Sequence, residues 1–176
     1  MTRLDPDALG VHVDRLFRAA WALCGSRHDA EDLVQETFVR VLARPRELHT
    51  GGELAYLMSV LRNTFLTTRR TASRRPAVVG SLDELQQVDP RRSERPHDAL
   101  DTAALFAAIA ALPEDFRLTL VAVDVAGLSY REAATLLDSS EATITTRLFR
   151  ARRRLAGALT AEGAIREGPA PARSPV

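Results

Sequence analysis

The chain has 176 residues, of which 45% are hydrophobic and 27% charged, proportions that suit one medium globular domain or two small ones. No apolar run approaches the roughly 18 residues of a membrane span, and the N-terminus lacks a hydrophobic signal core, so we expect no membrane insertion, no secretion and a cytoplasmic location. The formal net charge is only +1, and the single cysteine, Cys24, has no partner for an internal disulfide or a cysteine-based metal site.

The basic charge is concentrated in one segment. Residues 99–140 carry six acidic side chains against two arginines, whereas residues 141–160 carry Glu141 against five arginines. All 24 basic residues are arginine, which is typical of GC-rich coding sequence but also supplies guanidinium groups suited to phosphates and guanine edges. The small net charge therefore does not exclude a nucleic acid partner.

Apolar residues recur at three- and four-residue spacing and strand signals are nearly absent, which predicts an all-α protein. Asp5-Pro6 and Ser26 resemble helix starts, and Thr50 with Glu53 has the spacing of a capping box. Gly25 and Arg44-Pro45 mark helix ends. The predicted helices of this part of the chain run over residues 5–24, 26–44 and 53–70.

Residues 71–98 differ in character, since they hold three prolines among mixed charges, as a linker does. A second helical set follows, and its buried stripes end near Thr160. The sequence thus predicts two small helical domains at residues 1–70 and 99–160, a flexible linker at 71–98 and a disordered tail at 161–176.

A helix-turn-helix pattern lies at residues 129–155. Ser129 and Glu132 have capping-box spacing, and after a polar turn the next helix carries an apolar stripe that begins at Ile144. The start of such a second helix enters the major groove. Predicted base contacts are Thr143, Thr146 and Arg147, and predicted phosphate contacts are Arg150, Arg152 and Arg153. A solvated basic helix is the alternative, but five arginines within eight residues favour DNA.

The second and third predicted helices each have a polar face whose function can be interpreted in two ways. The second helix exposes Asp32, Gln35, Glu36 and Val39, which suit docking against another helix or an ordinary surface. The third helix exposes Tyr56, Ser59, Asn63, Thr67 and Arg70, which suit unpaired bases or a tyrosine half-buried against the linker. The residues alone do not decide either case.

Signs of catalysis are weak. The four histidines have no metal-ligand spacing, no glycine-rich phosphate loop occurs, and Cys24 lies on the apolar side of its helix. We therefore expect no catalytic residue, no cofactor and no metal site.

Three stretches resemble the extracytoplasmic-function (ECF) sigma factors of bacterial RNA polymerase. They are DAEDLVQETF at residues 29–38, Ala55-Tyr56-Leu57 through Arg62-Asn63, and Leu112-Pro113 with Gly127-Leu128-Ser129-Tyr130. The resemblance implies that the first domain is sigma region 2 and that the second is sigma region 4. It also implies binding to core RNA polymerase and promoter DNA, and an anti-sigma factor as inhibitor.

The resemblance also implies roles for particular residues. Asp32, Gln35, Glu36 and Val39 would dock on the polymerase. Tyr56, Ser59, Asn63, Arg69 and Arg70 would act at the minus 10 element, and the loop at residues 45–52 would hold a flipped base. Arg147, Arg150 and Arg152 would engage the minus 35 element, although Ala142, Thr145 and Thr67 depart from common family residues and leave the promoter sequence open.

Two other functions compete with this assignment. One is a free-standing helix-turn-helix repressor or activator, in which residues 1–70 form a dimerisation or sensor module and the DNA sites are palindromic. The other is a helical adaptor that binds only protein.

Overall fold

The computed structural model describes residues 2–3, 9–43, 47–48, 52–74 and 96–166, with side chains at 9–43, 52–72 and 101–161. The α-helices are α1 (Val13–Cys24), α2 (Arg27–Ala43), α3 (Glu53–Arg74), α4 (Pro96–Ala110), α5 (Glu114–Leu120), α6 (Tyr130–Leu136) and α7 (Glu141–Arg166). A 3-10 turn, Gly10–His12, precedes α1, and a π-helical turn, Val121–Val125, continues α5. The all-α prediction is confirmed.

Two very short strands accompany the helices. Strand β1 (Thr2–Arg3) pairs antiparallel with β2 (Glu47–Leu48), and Thr2 lies opposite Leu48. Strands of two residues carry no period-two pattern, so the sequence gives no signal for them.

Helices α1, α2 and α3 form the first domain around fully buried leucines such as Leu16, Leu57 and Leu61. Gly25 ends α1 with φ of 77°, a left-handed conformation that glycine adopts at little cost, and its amide donates to the Trp21 carbonyl. The Ser26 hydroxyl then accepts a hydrogen bond from the Asp29 amide at 3.3 Å and caps α2. The predicted stop and start at residues 25–29 are therefore confirmed.

Helix α1 departs from the prediction at its beginning. The apolar spacing of Leu9, Val13 and Leu16 predicts that all three lie on one buried face, but Val13 is 39% exposed while Leu9 and Leu16 are buried, because the 3-10 turn before α1 shifts the helical phase. Asp5-Pro6 lies outside the described residues.

Helix α3 and the second domain also exceed their predicted bounds. Helix α3 continues to Arg74 rather than ending at Arg70, because no helix stop occurs before Pro76. Helix α4 begins at Pro96, and α7 runs to Arg166 where the prediction ends at Thr160. The described helices therefore include residues 71–74 and 96–98 of the predicted linker and residues 161–166 of the predicted tail. Thr50, residues 75–95 and residues 167–176 lie outside the described residues.

Helices α4 to α7 form the second domain, and it packs directly against the first. Helix α1 contacts α4 and the π-helical turn, and α3 contacts α6. The rings of Trp21 in α1 and Phe106 in α4 meet edge to face with centroids 5.0 Å apart. The buried apolar residues of both domains consequently form one contiguous core.

Candidate nucleic-acid and protein interfaces

The predicted docking stripe lies on the outer face of α2. Asp32, Gln35, Glu36 and Val39 are all exposed, and the Val39 side chain has 62% of its surface accessible. Asp32 lies 3.8 Å from His28, and Glu36 accepts a 2.8 Å hydrogen bond from Arg40. The opposite face of α2 buries Ala30, Leu33, Val34, Thr37 and Val41. The helix therefore presents a mixed acidic and apolar surface on a rigidly packed scaffold.

A groove of about 810 Å³ runs beside this stripe, between α2 and α3. Asp32 and Glu36 line its α2 side, while Thr67 and Arg69 line its α3 side. Arg117 of the second domain also lines it. The groove thus brings together residues predicted to bind polymerase, a residue predicted to act at the minus 10 element, and an arginine that the sequence analysis did not select.

The predicted minus 10 residues follow α3 but differ in exposure. Asn63, Arg69 and Arg70 are exposed, whereas Tyr56 and Ser59 are half-buried and Tyr56 packs partly on the core. Arg69 points toward the second domain and forms a 2.9 Å ion pair with Glu114. The Tyr56 ring is therefore held partly by the core and still reaches solvent, while the linker of the second interpretation lies mostly outside the described residues. The loop predicted to hold a flipped base lies mostly outside the described residues.

The helix-turn-helix has a cap at the start of each helix. The Ser129 hydroxyl accepts from the Glu132 amide at 3.2 Å, and the Ser129 amide donates to the Glu132 carboxylate at 2.8 Å, which completes the predicted capping box. The Ser140 hydroxyl accepts from the Thr143 amide at 3.1 Å at the start of α7. The caps define where the recognition helix begins.

Replacing Ser129 by alanine should lower the free energy of unfolding by about 1 kcal/mol, since the N-cap acceptor of α6 is lost. The Ser129 hydroxyl and amide lower the pKa of Glu132, so the cap stabilises the protein above the ordinary pKa of glutamate, and this contribution disappears as the pH falls through the lowered pKa. Urea unfolding of Ser129→Ala at pH 7 and pH 3 measures both effects. Ser139→Ala is the control, because the caps of α6 and α7 use the Ser129 and Ser140 hydroxyls instead, and it should unfold like the parent. Equal destabilisation of the two variants would contradict the assignment.

The side chains of α7 are buried and exposed on the faces that the sequence predicts. Ile144, Leu148 and Ala151 are buried, while Thr146, Arg150, Arg152 and Arg153 are exposed on the other side. Thr143 and Arg147 are half-buried near the beginning of the helix. Phe149 is 66% exposed beside Arg150. The first turns of α7 therefore carry the side chains that would meet base edges.

Two of these arginines already have acidic partners in their own domain. Arg147 lies 3.1 Å from the Asp115 carboxylate, and Arg152 donates two hydrogen bonds to Asp124 at 2.9 and 2.7 Å. The bonds to Asp124 raise the pKa of Arg152. Arg147 and Arg152 are thus oriented by carboxylates, which the sequence analysis did not foresee because Asp115 lies in α5 and Asp124 in the π-helical turn, both far from α7 in sequence.

The remaining polar groups give no indication of catalysis. Burial raises the pKa of the Cys24 thiol to about 12, which makes it a poor nucleophile at neutral pH. Within the described ranges, histidine, cysteine and carboxylate side chains form no cluster of three that could hold a metal ion. Of the helices in those ranges, none is long and apolar enough to cross a membrane.

Comparison with known proteins assigns both domains. Residues 10–75 match Sigma-70 region 2, and residues 102–155 match Sigma-70, region 4. The ECF RNA polymerase sigma factor EcfG of Rhodopseudomonas palustris is 34% identical over 165 residues, which are 93% of this chain and 89% of that protein. This chain belongs to the ECF RNA polymerase sigma factors.

Two other proteins extend the comparison of this sigma factor. The ECF RNA polymerase sigma factor SigE of Mycolicibacterium smegmatis is 37% identical over 146 residues, and the match spans 82% of this chain but only 57% of SigE. The solved structure of the sigma factor RpoE from Bartonella quintana, in complex with the anti-sigma factor NepR, matches with 25% identity and a TM-score of 0.64. That match covers 89% of this chain and 98% of RpoE.

The family decides among the functions weighed above. A sigma factor directs promoter-specific transcription initiation with RNA polymerase and is not itself an enzyme. The repressor hypothesis assigned residues 1–70 to a dimerisation or sensor module, whereas most of that segment matches region 2.

Proposed function

We propose that this sigma factor docks on core RNA polymerase through α2, acts at the minus 10 element through α3 and recognises the minus 35 element through α7. The observation that carries the proposal is that each of these helices buries one face in the core and leaves the opposite face wholly or partly exposed. Within its own domain, each surface keeps its shape when a partner binds, because the core holds the helix behind it.

The α2 stripe suits protein docking. Val39, at the C-terminal end of the stripe, is apolar and exposed, and Asp32 and Glu36 lie on the same face. An apolar anchor with a charged rim is the usual composition of a protein interface. The acidic rim would steer the sigma factor toward a basic surface of the polymerase and set its register there.

The α3 surface suits unpaired bases. Tyr56 is partly held by the core, so little side-chain entropy is lost when a base stacks on its ring. Asn63 supplies amide groups for base edges, and Arg69 and Arg70 supply charge for phosphates. The proposed role is to stabilise the opened strand at the minus 10 element.

The α7 surface suits a major groove. Thr143, Thr146 and Arg147 occupy the first two turns, where base edges are reached, and Arg150, Arg152 and Arg153 extend along the backbone. The Ser140 cap also leaves the amide end of α7 directed at the DNA, where a phosphate binds favourably.

The proposal includes a location and an inhibitor. The protein would work in the cytoplasm, where core polymerase and promoter DNA are found. The match to RpoE, whose structure holds the anti-sigma factor NepR, supports an anti-sigma factor as a regulator of this chain as well.

The test is a competitive titration. Fluorescently labelled sigma factor is mixed with core RNA polymerase and followed by anisotropy, first alone and then against an established sigma factor. We expect saturable binding that the competitor displaces, and binding of the minus 10 and minus 35 elements only by the assembled complex. A folded chain that leaves anisotropy unchanged at all polymerase concentrations would refute the proposal.

A further inference from the structure

Arg117 joins the two domains through two backbone carbonyls. This residue of α5 is only 8% exposed, and its guanidinium donates to the Ala110 carbonyl at 2.7 Å and to the Leu23 carbonyl at 3.1 Å. Ala110 ends α4 in the second domain, whereas Leu23 lies in the last turn of α1 in the first. One side chain therefore binds the C-terminal ends of helices from both domains.

The C-terminal end of a helix is a favourable place for a cation. The last carbonyls of a helix have no intrahelical partner and carry the negative end of the helix dipole. Arg117 satisfies one such carbonyl in each domain with a single positive charge, because its Nη1 group has two hydrogens and donates to both carbonyls. Separation of the domains would leave the Leu23 carbonyl to water.

Contacts around Arg117 hold the same interface. Arg117 lies 5.5 Å from the ring centroid of Phe65 in α3, and Glu114 pairs with Arg69 across the interface at 2.9 Å. A Cβ added at Gly25 would lie 2.9 Å from the Ala110 Cβ, so the two backbones approach closely.

We propose that Arg117 is a latch that holds region 4 closed on region 2, and that this sigma factor must open at the latch to occupy both promoter elements. The closed arrangement is observed directly in the structure of this chain. The need to open rests on the proposed function.

The dimensions of the closed chain and of the promoter require opening. A folded chain of this length has a radius of gyration of about 16 Å, and hence a diameter of about 40 Å. Elements centred at minus 10 and minus 35 lie about 25 base pairs apart, or about 85 Å along straight duplex. The 21 residues between Arg74 and Pro96 can reach at most about 75 Å when extended. The widths of the two domains add to this reach, so the covalent chain allows the separation.

The closed state is opposed by the free energy of removing the Arg117 guanidinium from water, which suits a contact that has to open. Burial lowers the pKa of Arg117, and the nearby Arg69 lowers it further. The Arg117 Nε has no hydrogen-bond partner among the described residues. Opening returns this guanidinium to water, which recovers hydration that the two carbonyls replace only in part.

Closure also conflicts with the proposed interfaces. Arg117 lines the groove that contains Asp32 and Glu36 of the docking stripe. Arg69, proposed to act at the minus 10 element, is paired with Glu114. Polymerase and promoter would therefore compete with the latch for the same side chains, which couples their binding to opening.

Trp21 provides a built-in probe of closure, because it is the single tryptophan and it contacts Phe106 across the interface. In the isolated sigma factor, without polymerase or DNA, we expect blue-shifted emission and weak acrylamide quenching. Arg117→Ala should shift the emission to the red and increase quenching. If the parent protein itself emits like the urea-unfolded chain, the free chain is open and the latch is overturned.

Glu114→Arg provides a second variant that keeps the fold, since Glu114 is exposed on the surface of α5. It places a third arginine beside Arg69 and Arg117, so we expect the same red shift with unchanged far-UV circular dichroism. Adding Arg69→Glu restores the opposite charges and should reverse the shift. Glu141→Arg, the same charge change away from the interface, should leave emission as in the parent. The role of Arg117 would be refuted if neither Arg117→Ala nor Glu114→Arg shifted the emission, or if Glu141→Arg shifted it as much as they do.

Opening is tested with energy transfer between dyes at exposed positions of α1 and α7, Arg15→Cys and Ala158→Cys, in a Cys24→Ser background. Transfer should be high in the free chain and fall when core polymerase and a promoter duplex are added. High transfer in a complex that anisotropy shows to be fully bound would refute opening while leaving the proposed function intact. Absence of binding together with closed-state Trp21 emission would refute the function while leaving the latch intact.

Discussion

Asp32→Arg should weaken binding to core RNA polymerase by about 2 to 3 kcal/mol, roughly 30- to 150-fold in Kd, with no loss of fold. The Asp32 side chain is 66% exposed and lies 3.8 Å from His28 in the same helix. Such an exposed pair contributes only a few tenths of a kcal/mol to stability. The charge reversal therefore acts on the partner, because an arginine would face the basic surface that an acidic stripe selects. Anisotropy titration of the labelled variant measures the change.

Glu31→Arg is the matched control for Asp32. Glu31 is an exposed acid one residue earlier in α2, and it lies about a quarter turn from the centre of the docking stripe. Its substitution gives the same change in net charge and disrupts a comparable pair, with Arg27 at 3.4 Å. We expect it to lower polymerase affinity much less than Asp32→Arg does. Equal losses in the two variants would mean that overall charge, and not the stripe, governs docking.

The local structure of this chain was largely predictable because short-range signals specify it. Gly25, Ser26 and the Ser129 and Glu132 pair each act within one helical turn, and the structure has the stop and the caps that they predict. The apolar stripe of α7 was equally clear, since Ile144, Leu148 and Ala151 are buried as their spacing requires. Helix ends without such signals, as at Arg74 and Arg166, were underestimated.

The packing of the domains was not predictable from these patterns. A polar, proline-containing segment predicts a linker, but it does not indicate whether the domains that it joins touch. Arg117 could have been noticed as a single charge within the apolar stretch from Phe116 to Val123. A charge in such a stretch predicts only that it needs a partner, and its partners, the Leu23 and Ala110 carbonyls, carry no side-chain signature.

The arginines of α7 show the same limit. Their number and spacing predicted a DNA-binding face, but Asp115 and Asp124 were assigned only to an acidic segment. The fold brings them to α7, where they orient Arg147 and Arg152. Side-chain exposure could be predicted from helical phase, whereas pairing depends on tertiary contacts between helices.

Arg147→Ala should reduce discrimination for the minus 35 element by about 1 to 3 kcal/mol while polymerase affinity stays unchanged. Arg147 lies in the second turn of α7, and Asp115 holds its guanidinium at 3.1 Å. That contact limits the orientations of the side chain before DNA arrives, so less entropy is lost when it pairs with a base edge. Binding of the assembled complex to the preferred duplex and to duplexes with single substitutions in the minus 35 element measures the discrimination.

Arg150→Ala separates base recognition from phosphate binding. Arg150 is exposed farther along α7, where we propose that the helix follows the DNA backbone, so its loss should weaken all duplexes alike and lower the salt dependence by about one phosphate contact. Arg147→Ala should instead change the ranking of the duplexes and leave the salt slope nearly as in the parent. Because both substitutions remove one positive charge, a charge effect alone would make them indistinguishable. An unchanged ranking in Arg147→Ala would exclude this residue from base recognition and leave Thr143 and Thr146 to carry it.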